Sequence, residues 1–189
     1  FAGLFLQGAT NSFGSAVMAG SSASDSVTSI LATVPSTMFH SCVSFSGQCY
    51  GAKKYDRIDK LLVRSIGLGT SITALLAILC TLFPQLFLSL YTTDPASIAA
   101  GIPKLIIVAW GYVAFSVCQS AMGILRGIGK SFGPTLVSVF CFTVMRLLWI
   151  WFIFPSYPTP SMLFMCILVS FVFNAAGEIC YYLACRKKI

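Results

Sequence analysis

Side chains that could carry out catalysis are scarce in this 189-residue chain. It has one histidine, His40, and five acidic residues, which are Asp25, Asp56, Asp59, Asp94 and Glu178. No Ser/His/Asp or Cys/His combination stands at a spacing that would support nucleophilic catalysis. His40 also lacks a metal-ligand partner at a useful spacing. We therefore expect no enzymatic activity, no bound metal and no cofactor.

The stretch Gly123 to Ser131, with the sequence GILRGIGKS, is similar to nucleotide-binding motifs but fits none of them. Ile124 stands where the phosphate-loop pattern GxxxxGK[ST] requires glycine, and the dinucleotide pattern has one residue too many before Gly133. Both motifs also follow a β-strand, whereas the flanking segments here have the composition of membrane helices. We predict a tight turn instead, with Pro134 beginning the next helix.

Polar side chains within long apolar stretches are the remaining candidates for function. They are Gln7, Asn11, Lys104, Gln119, Arg146, Asn174 and Glu178. Lys104 and Glu178 have an alternative interpretation, in which they snorkel or form pairs near the membrane interface. Arg146 either faces a polar interior or packs among its apolar and aromatic neighbours. For His40, a buried core position is the expectation, and a proton relay is the alternative.

The composition excludes a soluble globular protein. Hydrophobic residues make up 57% of the chain, charged residues make up 9%, and the mean hydropathy is +0.88. A soluble domain carries about 25% charged residues, and a disordered chain would be far less hydrophobic. The eight cysteines contain no CxxC pair and are interpreted as small packing residues rather than as a disulfide framework. A bundle of membrane helices remains.

Uncharged stretches predict five complete membrane helices, at roughly 25–48, 62–90, 97–124, 132–154 and 161–184. A loop is expected at Pro155, Pro158 and Pro160. Residues 1–20 form a partial segment. Either residues 1–10 are the end of a helix whose beginning is absent, with a break at Asn11 to Gly14, or one glycine-rich helix covers 1–20.

The basic residues predict the orientation of the helices in the membrane. Ten of the twelve fall in three of the predicted loops and ends, which are Lys53 to Arg64, Arg126 to Lys130, and Arg186 to Lys188. Because lysine and arginine are retained on the cytoplasmic side, these segments and the C-terminus are expected to be cytoplasmic. The net charge of +7 then reflects topology, and we expect the lipid bilayer rather than nucleic acid as a partner.

An ordered set of motifs is similar to one half of the multidrug and toxic compound extrusion (MATE) family. The run from Gly47 to Ile58, GQCYGAKKYDRI, resembles the family signature GQxxGAxxxxR. Asn11 to Gly14 resembles the break before that helix, and Leu90 to Asp94 resembles an outer loop. Gly123 to Pro134 resembles the G-x-x-R-G-x-G-x-x-x-x-P turn, and Arg146 to Trp149, followed by Pro155, resembles the end of the next span.

The resemblance implies an all-α integral membrane fold. Residues 1–189 would form helices seven to twelve of a twelve-helix MATE-type transporter, as a six-helix C-terminal lobe whose first helix is truncated. The chain also begins at Phe1 rather than Met, which suggests a fragment. The missing N-terminal lobe would then be a partner. The motif residues expected to be structural are Gly47, Gln48, Gly51, Ala52, Arg57, Arg126, Gly127, Gly129 and Pro134.

The implied function is antiport in the cell membrane, in which drugs or organic cations leave the cell by alternating access in exchange for Na⁺ or H⁺. We expect Gln7, Asn11, Gln119 and Arg146 near the pathway of substrate or ion. The matching interior positions of two helices hold Gln7 and Gln119 instead of acids, so the coupling carboxylate is expected in the missing half. The alternatives are a lipid-linked or polysaccharide flippase of the same superfamily, a membrane scaffold without transport activity, or a decayed fragment.

Overall fold

A computed structural model describes residues 15–149, 151 and 160–186, and all regular structure within them is helical. Six helices follow one another: α1 (Ser15–Gly51), α2 (Tyr55–Leu82), α3 (Pro84–Ser89), α4 (Pro95–Gly127), α5 (Phe132–Leu148) and α6 (Pro160–Arg186). The all-helical fold expected from the sequence is confirmed.

Three of these helices are long and apolar enough to cross a membrane, and they cover Tyr55–Leu82, Pro95–Gly127 and Phe164–Arg186. The apolar helix α5 has 17 residues. Helix α1 is the longest, with 37 residues, but ten serines and three threonines lower its hydropathy. Helix α1 is therefore more polar in composition than the other long helices.

Several helix boundaries differ from the sequence prediction. The helix expected at 25–48 begins ten residues earlier, at Ser15, so residues 15–20 do not belong to a separate helix over 1–20. The proposed helix end at 1–10 lies outside the described residues. The span expected at 62–90 begins at Tyr55 and stops at Leu82. Pro84 has no backbone N–H with which to continue the hydrogen bonds of α2, and it begins the short helix α3 instead.

Helix α4 begins at a well-formed N-cap. The Asp94 carboxylate accepts hydrogen bonds from the Ser97 hydroxyl at 2.6 Å and from the Ser97 backbone N–H at 3.0 Å. These bonds favour the charged form and hold the pKa of Asp94 below its usual range. Asp94 therefore fixes the first turn of a helix that was expected at 97–124 and runs over Pro95–Gly127.

The last two helices leave one prediction open. Helix α5, expected at 132–154, is described from Phe132 to Leu148, and the proline loop at Pro155 and Pro158 lies outside the described residues. Pro160 was expected to belong to that loop, but it is the first residue of α6. Proline is compatible with the first turn of a helix, since no intrahelical bond needs its N–H there.

Helices α1 and α4 lie against each other along most of their lengths, and glycines make this possible. At one end, a Cβ on Gly101 would lie 2.7 Å from the Gly20 carbonyl oxygen and 3.0 Å from the Ser24 hydroxyl. At the other end, a Cβ on Gly123 would lie 2.7 Å from the Phe39 carbonyl oxygen, and one on Gly127 would overlap the Ser46 hydroxyl. Small residues four apart therefore serve helix contact at 123 and 127.

The same packing brings the basic segments to one end of the lobe. The turn after α4 meets the end of α6, where the Lys130 ammonium donates to the Cys185 carbonyl at 3.5 Å. The start of α2 also meets the end of α6, where Arg186 forms an ion pair with Asp59 at 2.8 Å and the Tyr182 hydroxyl donates to Asp59 at 2.7 Å. The three basic segments therefore share one face.

The contact between α1 and α4 gives a direct test. In the full-length protein, Gly101→Ala should lower the thermal unfolding midpoint by several degrees and reduce the yield of monodisperse protein, because the new methyl group would meet backbone atoms of α1. Gly67→Ala is the matched control, since a Cβ there meets nothing within 4 Å. Equal behaviour of the two variants would show that the close approach of the helices is not required.

Candidate functional site

One face of α1 carries a continuous line of exposed polar side chains, which we call the α1 stripe. Its members follow at intervals of three or four residues and are Ser22, Asp25, Ser29, Thr33, Ser36, His40, Ser44 and Gln48. This spacing places them on one side of a helix, over a length of about 39 Å. The α1 stripe thus extends over more than the thickness of a membrane's hydrocarbon core.

The α1 stripe is poorly suited to contact with lipid. Some of its hydroxyls are satisfied within the helix, since Ser22 donates to the Met18 carbonyl at 3.0 Å and Ser36 to the Ala32 carbonyl at 2.9 Å. Asp25, His40 and Gln48 have larger polar groups that the helix backbone cannot satisfy. In a membrane, such side chains face water or another protein segment.

One expectation from the sequence was wrong here, and one feature of the sequence was missed. His40 was expected to be a buried core residue, but it is exposed on the lobe, and its ring contacts the edge of Phe39. The α1 stripe itself was missed because residues 26–52 were interpreted only as an uncharged stretch. The signal was present in the sequence, since polar residues recur there at helical spacing.

An ion pair joins the α1 stripe to α4. The Lys104 ammonium lies 2.6 Å from the Asp25 carboxylate, and it also donates to the hydroxyl and the carbonyl oxygen of Ser21, at 2.6 and 3.2 Å. The ring of Phe164 lies 5.5 Å from the same ammonium. Lys104 thus uses all three of its donors, and the pairing that was one expectation for this residue is observed.

The two partners of this pair differ in their exposure. The side chain of Lys104 is 7% exposed and that of Asp25 is 64% exposed. Lys104 lies about 14 Å along α4 from its first residue. Asp25 had seemed to mark the edge of a span, but α1 begins at Ser15, so Asp25 lies ten residues inside the helix. Asp25 therefore places an exposed acid well within α1 rather than at the end of a span.

The four predicted pathway residues are not brought together by the described structure. Gln7 and Asn11 lie outside the described residues. Gln119 is half-buried on α4, and Arg146 is half-buried on α5. The Arg146 guanidinium lies 5.5 Å from the centre of the Phe142 ring, at the edge of an aromatic cluster that includes Phe115 and Phe171. A pathway role for these residues stays a prediction.

The motif residues occupy the two turns at the basic face. Gly47 packs against α4, with a Cβ position 3.4 Å from the Gly127 carbonyl oxygen, whereas Gln48, Gly51, Ala52 and Arg57 are exposed. In the second turn, the Arg126 guanidinium donates to the Thr135 hydroxyl at 3.2 Å and lies over the Phe39 ring. Gly129 takes a positive φ of 83°, and Pro134 is buried.

Both turns end their helices in the same way. The Lys54 N–H bonds to the Cys49 carbonyl in the first turn, and the Lys130 N–H bonds to the Leu125 carbonyl in the second, each at 2.9 Å. In each turn the preceding residue has a positive φ, namely Lys53 at 54° and Gly129 at 83°. This is the Schellman arrangement, and it confirms the predicted turn, which follows the end of α4 at Gly127.

Glu178 differs from its expectation. It was expected to snorkel or to form a pair near the interface, but it is 0% exposed, and neither ion pair found among the described residues includes it. Its Oε1 accepts a hydrogen bond from the Ser138 hydroxyl at 2.9 Å. Burial against α5 keeps this side chain from reaching the membrane surface, so snorkelling is wrong for Glu178.

The pair between Asp25 and Lys104 can be tested with a double-mutant cycle in the full-length protein. Asp25→Asn leaves the buried Lys104 ammonium without its counter-charge, so it should destabilise the protein more than Asp25→Asn combined with Lys104→Met. We expect a coupling energy of about 1–2 kcal/mol, measured from unfolding in denaturing detergent. The pair of Asp59 and Arg186, whose cation is exposed instead of buried, is the control, with a coupling below about 1 kcal/mol. If the two substitutions change the free energy of unfolding additively, Asp25 and Lys104 are not coupled, and the pair does not stabilise the lobe.

Comparison with known proteins agrees with this architecture. Over 96 residues, or 51% of this chain, the sequence is 30% identical to "Probable multidrug resistance protein YoeA" of Bacillus subtilis (strain 168). The match covers 21% of the length of that protein. A sequence model of the MatE family matches residues 1–152, which is most of the chain. The order of the motifs, the helical lobe and this match have one explanation: the chain belongs to the MatE family.

Proposed function

We propose that this chain is one lobe of a multidrug efflux transporter, and that the α1 stripe lines its substrate pathway. The observation that carries the proposal is the exposed line of polar residues on α1, about 39 Å long. Because these groups are costly in lipid, they need a water-filled space, and a second lobe facing α1 would enclose one. Membership of the MatE family and the name of the relative support this function.

We further propose that the transporter is an antiporter that exports amphipathic or cationic compounds in exchange for Na⁺ or H⁺, by alternating access of two lobes. The charge on the α1 stripe supports a cationic substrate. Asp25 carries the stripe's formal charge, and Lys104, which partly balances it, is buried behind it on α4. A flippase for anionic head groups would instead present lysine or arginine to the pathway.

The transport proposal can be tested with the full-length gene in a host that lacks its own efflux pumps. The protein should raise tolerance to cationic drugs and export a cationic dye, and this export should stop when the proton or sodium gradient is removed. Ser36→Trp should reduce dye export about tenfold or more, because it places a large ring in the proposed pathway. Leu75→Trp, on an exposed apolar surface of α2, is the matched control.

The outcomes of this assay are distinct. Loss of export in Ser36→Trp with normal export in Leu75→Trp supports the α1 stripe as the pathway. Normal export in both variants would exclude a pathway along α1 while leaving efflux intact. Unchanged drug tolerance together with no dye export by the wild-type protein would contradict the efflux function itself.

We propose that the protein resides in the cell membrane, with its basic face in the cytoplasm. Three basic segments meet at this face, and basic residues are retained on the cytoplasmic side. In intact cells whose protein lacks its exposed native cysteines, Thr93→Cys should react with a thiol reagent that cannot cross membranes, and Lys54→Cys should not. The reverse labelling pattern would invert the topology.

A further inference from the structure

A carboxyl group is enclosed between three helices of the lobe. Glu178 on α6 is 0% exposed and contacts α5 through the hydrogen bond from Ser138. Helix α5 passes close to α6 at this level, since a Cβ on Gly177 would lie 2.9 Å from Val137 Cγ1 and 3.6 Å from Cys141 Sγ. Glu178 therefore lies at a level where α5 and α6 pack closely against each other.

Two buried oxygen atoms in this region have no hydrogen-bond partner among the described residues. They are Glu178 Oε2 and Asn174 Oδ1. Asn174 is also 0% exposed, and its Nδ2 donates to Cys118 Sγ on α4 at 2.9 Å. Residues 174 and 178 are four apart in α6, so the two side chains lie on the same face, one turn from each other. Both atoms are acceptors when Glu178 is ionised, and a buried acceptor without a donor is costly.

We propose that Glu178 is a proton-binding site, in which the carboxyl holds a proton at neutral pH and donates it from Oε2 in a hydrogen bond to Asn174 Oδ1. One proton supplies the missing donor for both unpartnered oxygens. It also leaves Oε1 free to accept from Ser138, as observed. The proposal does not depend on which substrate the protein transports.

The charges around Glu178 agree with a neutral carboxyl. Cys118 on α4, Cys141 on α5 and Tyr181 on α6 all lie within electrostatic range and carry no positive charge. Arg126 is the basic residue that acts on Glu178, but its guanidinium donates to Thr135 and lies over the Phe39 ring. An ionised carboxylate would therefore be buried without a contacting counter-charge, which is strongly unfavourable.

Two other occupants explain the site less well. A water molecule could donate to both oxygens, but it would leave the carboxylate charge uncompensated. A metal cation that prefers oxygen is usually held by about six oxygen ligands, whereas the described side chains here offer those of Glu178, Asn174 and Ser138. A glutamine could make the same two hydrogen bonds as a protonated glutamate. What glutamate adds is the ability to release the proton.

The test uses the purified full-length protein, with Glu178→Gln as the main variant and Asp56→Asn, at an exposed acid, as the control. An unfolded glutamate loses its proton above about pH 4.3, whereas folded Glu178 is proposed to retain it. The folded state then binds more protons than the unfolded state, so stability falls as the pH rises from about 5 through neutral. We expect the wild-type unfolding midpoint to fall by about 4 °C more than that of Glu178→Gln.

Infrared spectroscopy at neutral pH provides a second readout. The carbonyl band of a protonated carboxylic acid should be present in the wild type and in Asp56→Asn, and reduced in Glu178→Gln. Ser138→Ala removes a hydrogen bond that favours the ionised form, so it should move the loss of this band to higher pH. This variant keeps the proposal testable if Glu178→Gln does not fold.

Three results would overturn the proposal. They are an equal pH dependence of stability in the wild type and Glu178→Gln, the absence of the protonated-acid band at neutral pH, and a rise in wild-type stability on adding sodium chloride that Glu178→Gln lacks. The first two indicate an ionised carboxylate that is hydrated, and the third indicates a sodium ion.

Discussion

The close approach of α1 to α4 is the constraint on which the rest of the lobe depends. Both helices carry glycine at the points where their backbones meet, at Gly20 with Gly101 and at Gly123 and Gly127 near the basic face. In a membrane there is little hydrophobic force between helices, so packing and interhelical hydrogen bonds must hold them together. The Ser24 hydroxyl, which donates to the Gly101 carbonyl at 2.9 Å, provides one such bond. This contact also determines which face of α1 remains exposed.

Polar groups in the lobe fall into two classes as a consequence. On α1, the face opposite the helix contacts carries polar residues that remain exposed, and Asp25 is the member that reaches back to a second helix through Lys104. Between α4, α5 and α6, the polar groups of Asn174 and Glu178 are fully enclosed. The first class suits contact with water and substrate, whereas the second suits a site that holds a small ligand such as a proton. Neither class is compatible with direct exposure to lipid.

The sequence predicted more of the fold than of the candidate site. Long uncharged stretches and the distribution of lysine and arginine were enough for the all-helical fold and for a common basic face, because both follow from the cost of placing polar groups in lipid. The start of α1 at Ser15 was missed, since a stretch rich in serine does not stand out by hydropathy. Serine and threonine can donate to their own helix backbone, as Ser22 and Ser36 do, and this lowers the cost of such a helix.

By itself, the sequence determined the class of protein, the family and the approximate positions of the helices, because composition and motif order are properties of the chain. Only the tertiary structure decided how its polar residues are used. Lys104 and Glu178 have similar apolar surroundings in the sequence, but Lys104 is paired with Asp25, whereas Glu178 accepts from Ser138 and has one buried oxygen without a hydrogen-bond partner among the described residues. His40 is exposed for the same reason that Asn174 is buried, since helix packing selects which side of each helix is covered. The hydrogen bonds that Lys104 and Asn174 make to other helices join residues that are 83 and 56 positions apart, and local sequence patterns do not specify such contacts.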